Sequence, residues 1–206
     1  MELSPTIRKL LCQSWHWDSD ECHMITFNAD GSGEIISRAE LNLWIAAFTQ
    51  WKLLDIISDD TQALATPLPE PTFIGRMLST ASHTVVLKAR VEITLSRNRM
   101  TTLYGRDITR RRINDDVLLD EAFQTKQYTI TVGRGQFATQ HAIKNKHPKQ
   151  PLYALQMAFD RSPLPAKSEW KPDQQAMVES VRQYEMTNFC TQELGRTADS
   201  GGCITM

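Results

Sequence analysis

The sequence predicts a mainly β protein: an antiparallel β-barrel with a short N-terminal helix and a second helix towards the C-terminus. Three observations carry this expectation. The stretch Asn28-Ala29-Asp30-Gly31-Ser32-Gly33 stands between alternating runs; Asp30 can bond back to its own backbone, and Gly31 and Gly33 can take the positive φ that tight hairpins need. Over residues 83–97, Val85, Leu87, Ala89, Val91, Ile93 and Leu95 take the odd positions and polar residues nearly all the even ones. Such a strand has one dry and one wet face, which suits a curved sheet or barrel. Residues 128–132 and 153–159 repeat the period of two.

Composition bounds the alternatives. A chain of 206 residues with 41% hydrophobic content can bury one sizeable core, which predicts a single barrel domain over residues 1–189 and a flexible tail over 190–206. Its 23 basic and 24 acidic residues leave no global field for nucleic acid or an anionic membrane. Met1-Glu2-Leu3-Ser4-Pro5 lacks a basic region followed by an apolar run, and no window approaches a spanning helix. A soluble cytoplasmic protein is expected. Cys12, Cys22, Cys190 and Cys203 are scattered without a CxxC pair, so reduced thiols are expected, a Cys12–Cys22 bridge being the alternative.

In chain order, Leu3, Ile7, Leu10 and Leu11 fall at helical spacing behind Ser4-Pro5, a helix start. Residues 15–54 read as strand, tight turn and long strand. Pro67, Pro69 and Pro71 mark a surface loop over 55–72, either a flap or a solvated excursion. If the odd residues of the 83–97 strand face inward, Arg90 and Glu92 are solvent pairs. Arg97, Arg99, Arg106, Arg110, Arg111 and Arg112 could recognise phosphate or carboxylate. Asp115, Asp116, Asp120 and Glu121 follow at once and can neutralise them, so a solvated face is expected and no nucleic-acid partner. Asn114 reads as the cap of a short helix over 114–124. Gly133-Arg134-Gly135-Gln136-Phe137-Ala138 is a formal dinucleotide fingerprint, but the preceding strand alternates with threonine, unlike a buried parallel strand. Those glycines read as a sheet bend. After the strand at 153–159, expected to be the last, Pro172-Asp173 opens a closing helix bearing Met177, Val181 and Tyr184.

Residues 15–54 also carry a family resemblance. A tryptophan near the start of the first strand, the ITFNADGSGEI hairpin and a following strand with a central Trp44 resemble the opening of lipocalin-like (calycin-type) small β-barrels. The resemblance covers about the first quarter of the chain, with Trp15-His16-Trp17 in place of the usual Gly-x-Trp. It implies a cup for an apolar ligand. Some fungal relatives of such barrels are non-redox cyclases of secondary metabolism, which implies a second activity for the same cup.

The functional expectation is therefore binding of a hydrophobic small molecule in a barrel cavity lined by Phe27, Asn42, Trp44, Phe48, Trp51, Tyr128 and Tyr153. The alternative is a cofactor-free cyclase or isomerase in that cavity, with an acid or base drawn from Glu40, His83 and His141, or from His23. No cofactor and no metal is expected, because the five histidines show no ligand spacing and no GxSxG or P-loop occurs. Gly201-Gly202-Cys203-Ile204-Thr205-Met206 fits C-a-a-X, a farnesylation signal at Cys203 with a chance C-terminal cysteine as the alternative; membrane contact is expected only if Cys203 is prenylated. The parity of the strand holding Trp44 is open. If Glu40, Asn42, Trp44 and Phe48 face inward, the cavity has polar anchors; if Leu41, Leu43 and Ile45 do, the interior is plain core.

Overall fold

The computed structural model describes residues 4–39, 42–68, 83–146 and 151–194. Glu40 and Cys203 lie outside the described residues, as do Pro69 and Pro71 of the expected flap. The chain is mainly β. Among the described residues ten strands run in order: β1 (Ser14–His16), β2 (His23–Phe27), β3 (Ser32–Ala39), β4 (Asn42–Asp59), β5 (Thr84–Arg99), β6 (Thr102–Leu103), β7 (Arg106–Asp107), β8 (Lys126–Phe137), β9 (Tyr153–Phe159) and β10 (Asn188–Glu193). The short helices are α1 (Pro5–Leu11), α2 (Gln140–Lys144) and α3 (Gln175–Val181). Eight strands form one antiparallel sheet in the order β1-β10-β9-β8-β5-β4-β3-β2, and β1 pairs with β2, so the sheet returns on itself as a ring. Among the described residues no helix is long and apolar enough to cross a membrane.

The first hairpin forms where the turn residues place it. Asp30 accepts hydrogen bonds from the backbone N–H and the hydroxyl of Ser32 at 2.9 and 2.6 Å, which holds its carboxyl below the usual range. Gly31 takes φ +86°. Gly33, expected to share that conformation, does not have a positive φ; it is required for another reason. A Cβ there would stand 2.3 Å from the Thr26 carbonyl oxygen and 2.7 Å from Thr49 Oγ1. Only a residue without a side chain lets β2, β3 and β4 approach so closely.

The run 15–54 holds four strands rather than two. Asp18, buried, accepts from the backbone N–H groups of Asp20, Cys22 and His23, each at 2.9 Å, and so turns the chain between β1 and β2. Period-two hydrophobicity does not show where one strand stops and the next begins. In β4, Ile45, Ala47, Thr49, Trp51 and Leu53 are buried while Phe48, Gln50 and Lys52 are exposed, so the odd face is the inner one from Ile45 onward. Trp44 also joins the main core, whereas Leu43 packs with Ala46 on a smaller cluster, so neither expected face is inward as a whole. A register shift between Ser37 and Arg38 sets Ile45 and Leu43 against successive residues of β3 and leaves Trp44 in a bulge.

The 83–97 alternation holds from Leu87 to Leu95; at its start Val85 is exposed and Val86 buried, where the register on β8 shifts between Val85 and Leu87. Arg90 pairs outside with Asp55 at 2.7 Å, and Glu92 accepts from Gln127 at 2.9 Å. Gly133 and Gly135 lie within β8, beside a shift in its register on β9. Residues 114–124 do not form the expected helix. They make two 3-10 turns, Asn114–Asp116 and Asp120–Phe123. Asn114 is no cap: at φ +54° and fully buried, it accepts from the Ala46 N–H at 3.0 Å and donates to the Ala46 oxygen at 2.9 Å. That amide pairs with the backbone of β4 at Ala46, whose oxygen also accepts from the Met100 N–H at 3.3 Å.

α1 begins where Ser4 caps it and buries Ile7, Leu10 and Leu11 in the core. It closes the end of the ring where β1 starts. The opposite end is closed by residues 113–123 and 164–186, among which Val117, Leu118, Trp170, Val178 and Met186 join the same core. α3, expected at the chain end, is followed by β10. The sheet therefore continues past residue 189, where the tail was expected to begin.

Candidate functional site at one end of the ring

The middle of the ring is filled by side chains. Trp15, Phe27, Ile35, Ile45, Val91, Ile130, Met157 and Phe189 are all buried in one apolar cluster. Phe27 packs on Trp51 with ring centroids 4.9 Å apart, and Phe159 lies against both Tyr128 and Phe189 at 5.8 Å. Burying an aromatic side chain of this size contributes about 2–3 kcal/mol. Phe27 and Trp51, expected to line a cavity, are thus core packing, and Trp51 Nε1 is committed to the Asn28 carbonyl oxygen at 2.9 Å. Phe48 points outward and is 41% exposed. Tyr153 is buried at the start of β9, and burial pushes its hydroxyl up to about 12.

Two clefts open at the end closed by residues 113–123 and 164–186. The first, about 300 Å³, is lined by Lys126, Tyr128, Arg161, Ser162, Leu164, Ala166, Glu169 and Tyr184. Tyr128 is an inward-facing residue of β8, following the strand's alternation, and it forms the floor where the core meets the cleft. Burial raises its hydroxyl above the ordinary tyrosine range. The Arg161 guanidinium stands 5.2 Å over its ring and donates to the Gln127 carbonyl oxygen at 3.0 Å. At the rim, Lys126 Nζ and Glu169 Oε2 are 2.6 Å apart, with side chains only 19% and 13% exposed. The same Glu169 oxygen accepts from the Ala166 N–H at 2.8 Å, which fixes the loop entering the cap. Leu164, Ala166 and the two tyrosines supply apolar wall, and the ion pair and Ser162 supply polar contacts, the mixture small-molecule sites use.

The second cleft, about 230 Å³, is lined by Asn42, Leu43, Trp44, Arg111, Arg112, Val117 and Gln174. Asn42 and Trp44 of the expected ligand set meet here, apart from Tyr128.

The expected acid–base residues do not come together. His83 precedes β5 and packs on Phe137 at 5.9 Å, at the α1 end of the ring. His141, on α2, lies across from Trp17 at 5.1 Å, near the opposite end. His23 is the imidazole that joins it: Trp17 separates the two, with His23 at 5.3 Å in an edge arrangement. His23 Nδ1 shares a hydrogen bond with Ser37 Oγ at 3.0 Å, both residues being buried, and burial lowers its value to about 4. A fully buried serine offers no access to substrate, so this pair ties β2 to β3 rather than forming a nucleophile. Cys12, Cys22 and Cys190 are free thiols, Cys190 buried and pushed up to about 12.

Arg161, Lys126 and Glu169 carry no sequence signal. Their meeting depends on contacts between β8 and a segment some forty residues on, and local pattern has no reach over that distance. Comparison of the chain with family models, with characterised proteins and with solved structures finds no match to any of the three.

Proposed function

We propose that the ring is a small lipocalin-like barrel that binds a hydrophobic small molecule, and that the molecule sits at its Tyr128 end rather than at its centre. The observation that supports this is the cleft itself. It is open, mostly apolar, floored by an inward-facing tyrosine and rimmed by a sparingly exposed ion pair. Tyr128 and Tyr184 offer faces to an apolar or aromatic ligand, while Lys126, Glu169 and Ser162 can orient one polar group on it.

The alternative activity, cofactor-free cyclisation or isomerisation in the same cleft, draws support from the Tyr128 phenol and the Glu169 carboxylate, which line one space. Such a reaction needs a folded substrate and one positioned proton donor.

The test is native mass spectrometry of the full chain isolated from its own source, with identification of any released molecule. A near one-to-one apolar adduct is expected, lost in Ala166→Trp, which fills the cleft from an exposed position. A chain still bare after incubation with a total lipid and metabolite extract, or an adduct retained by Ala166→Trp, refutes the proposal. If the released molecule is converted on incubation with wild-type chain but not with Tyr128→Phe, the enzyme reading replaces simple binding.

A further inference from the structure

The second cleft points to a different ligand chemistry, and its argument is independent of the Tyr128 site. Four of the five tryptophans donate their indole N–H to a fixed acceptor: Trp15 to the Leu11 oxygen at 3.1 Å, Trp17 to Gln140 Oε1 at 2.9 Å, Trp51 to the Asn28 oxygen at 2.9 Å and Trp170 to the Pro165 oxygen at 3.2 Å. Trp44, only 8% exposed, makes no such bond among the described residues. An indole N–H can only donate, and Trp44 lines the second cleft, so its N–H is a donor not committed to any described residue beside that space.

Its surroundings are donors too. Arg111 and Arg112 bring guanidinium groups that donate and never accept, and the amides of Asn42 and Gln174 can donate. The nearby acid is Asp173, which accepts from Arg112 at 3.0 Å and from Gln174 at 2.9 Å and is held below the usual carboxylate range chiefly by the Arg112 contact. The Arg112 and Asp173 side chains are 67% and 53% exposed, so the pair is hydrated and weak enough for an incoming anion to share the arginine.

The loop presenting the arginines is held in place. Arg99 donates to the Arg111 and Ile113 carbonyl oxygens at 3.3 and 3.0 Å and to Asp116 at 2.5 Å, while Asn114 clamps the Ala46 backbone. The cleft thus gathers the Trp44 indole N–H and the exposed Arg112 guanidinium on a loop that is held in place.

We propose that this cleft binds the oxyanion of a small molecule, a carboxylate or a phosphate, with one oxygen accepting the Trp44 N–H and the others facing the guanidinium groups. Planar guanidinium groups match either anion in two-pronged fashion. A volume of about 230 Å³ lies below the usual range of drug-sized sites and suits a small acid rather than a chain.

The test is a ¹H–¹⁵N titration of the full chain with phenyl phosphate, with benzoate, and with sodium chloride at matched ionic strength. The Trp44 indole resonance is the one missing from Trp44→Phe. It is expected to shift saturably with one or both organic anions while the other four indole signals stay, and Arg112→Gln is expected to weaken binding at least about ten-fold, since it removes a charge-assisted contact. A response to phenyl phosphate alone assigns a phosphate site, and a response to benzoate alone a carboxylate site. A Trp44 signal that stays still, one that follows ionic strength, or an unchanged affinity in Arg112→Gln overturns the proposal. Ala166→Trp leaves this cleft intact, so the two sites succeed or fail separately.

Discussion

His23 makes stability depend on pH in a window that can be worked out. In the native chain the imidazole is buried, bonded to Ser37, and titrates at about 4, against an ordinary value of 6.5. Burial is the main cause, opposed by Asp18, whose carboxylate is already occupied by three backbone N–H groups, and helped by the neighbouring His141 and Arg38. Because the native value is depressed, the unfolded chain takes up a proton that the folded chain refuses. Stability is therefore full above about pH 6.5 and falls as the pH drops towards 4. From pH 7 to pH 5 the two binding curves separate by about 2 kcal/mol, and the loss levels off near 3 kcal/mol once the native imidazole also charges. The assay is urea unfolding of wild type and His23→Gln at pH 7, 6 and 5, a range in which most carboxylates stay ionised. His23→Gln keeps a hydrogen-bonding group for Ser37 but does not titrate. Wild type should lose about 2 kcal/mol more than the variant over that range. Parallel pH profiles would refute the reasoning and place a charged, hydrated imidazole at this position.

Other substitutions probe the supports of the ring and its closed end. Gly33→Ala should lower stability by about 3 kcal/mol, since its Cβ meets the Thr26 carbonyl at 2.3 Å, whereas Gly105→Ala, with open space at φ +73°, should cost about 1 kcal/mol; thermal unfolding of both variants checks the contrast. Gln140→Leu removes one oxygen that accepts from Trp17 Nε1 and from the backbone N–H groups of Thr187 and Asn188 at 2.9, 3.0 and 3.1 Å. The stranded donors should cost about 3 kcal/mol and speed amide exchange at Thr187 and Asn188, read by hydrogen exchange. Asn114→Ala should cost about 2 kcal/mol in chemical denaturation, because it strips the Ala46 N–H of its side-chain acceptor, leaves the Ala46 oxygen with the Met100 N–H alone and keeps a non-glycine residue at positive φ.

Much of the sheet was legible because its signals are local. The Ser4-Pro5 helix start, the Asp30-Gly31 turn and the alternation of β5 act within a few residues, and each appears where its side chains dictate. β1 was not told apart from β2 and β10 was missed for a physical reason: β1 has only three residues, β10 buries Phe189, Cys190 and Thr191 in succession and shows no alternation, and both exist through pairing with each other and with β2 and β9. Residues 114–124 carried an apolar stripe that mimics a helix. Their apolar groups are instead spent on the end of the ring, with Leu118 paired to Trp170.

The candidate site divides along the same line. Tyr128, Asn42 and Trp44 were nameable in advance because an aromatic or amide on an alternating strand is visible in one dimension. What was not visible is that Phe27 and Trp51 fill the ring, or that Tyr128 and Trp44 serve two clefts. By itself the sequence determined a mainly β chain with a capped first helix, a glycine-dependent hairpin and one long two-faced strand. Tertiary structure alone decided the inner face of β4, the closure of the sheet through β10 and the meeting of Arg161, Lys126 and Glu169 at Tyr128. These depend on which distant segments exclude water from one another, and that free energy is absent until the chain has closed.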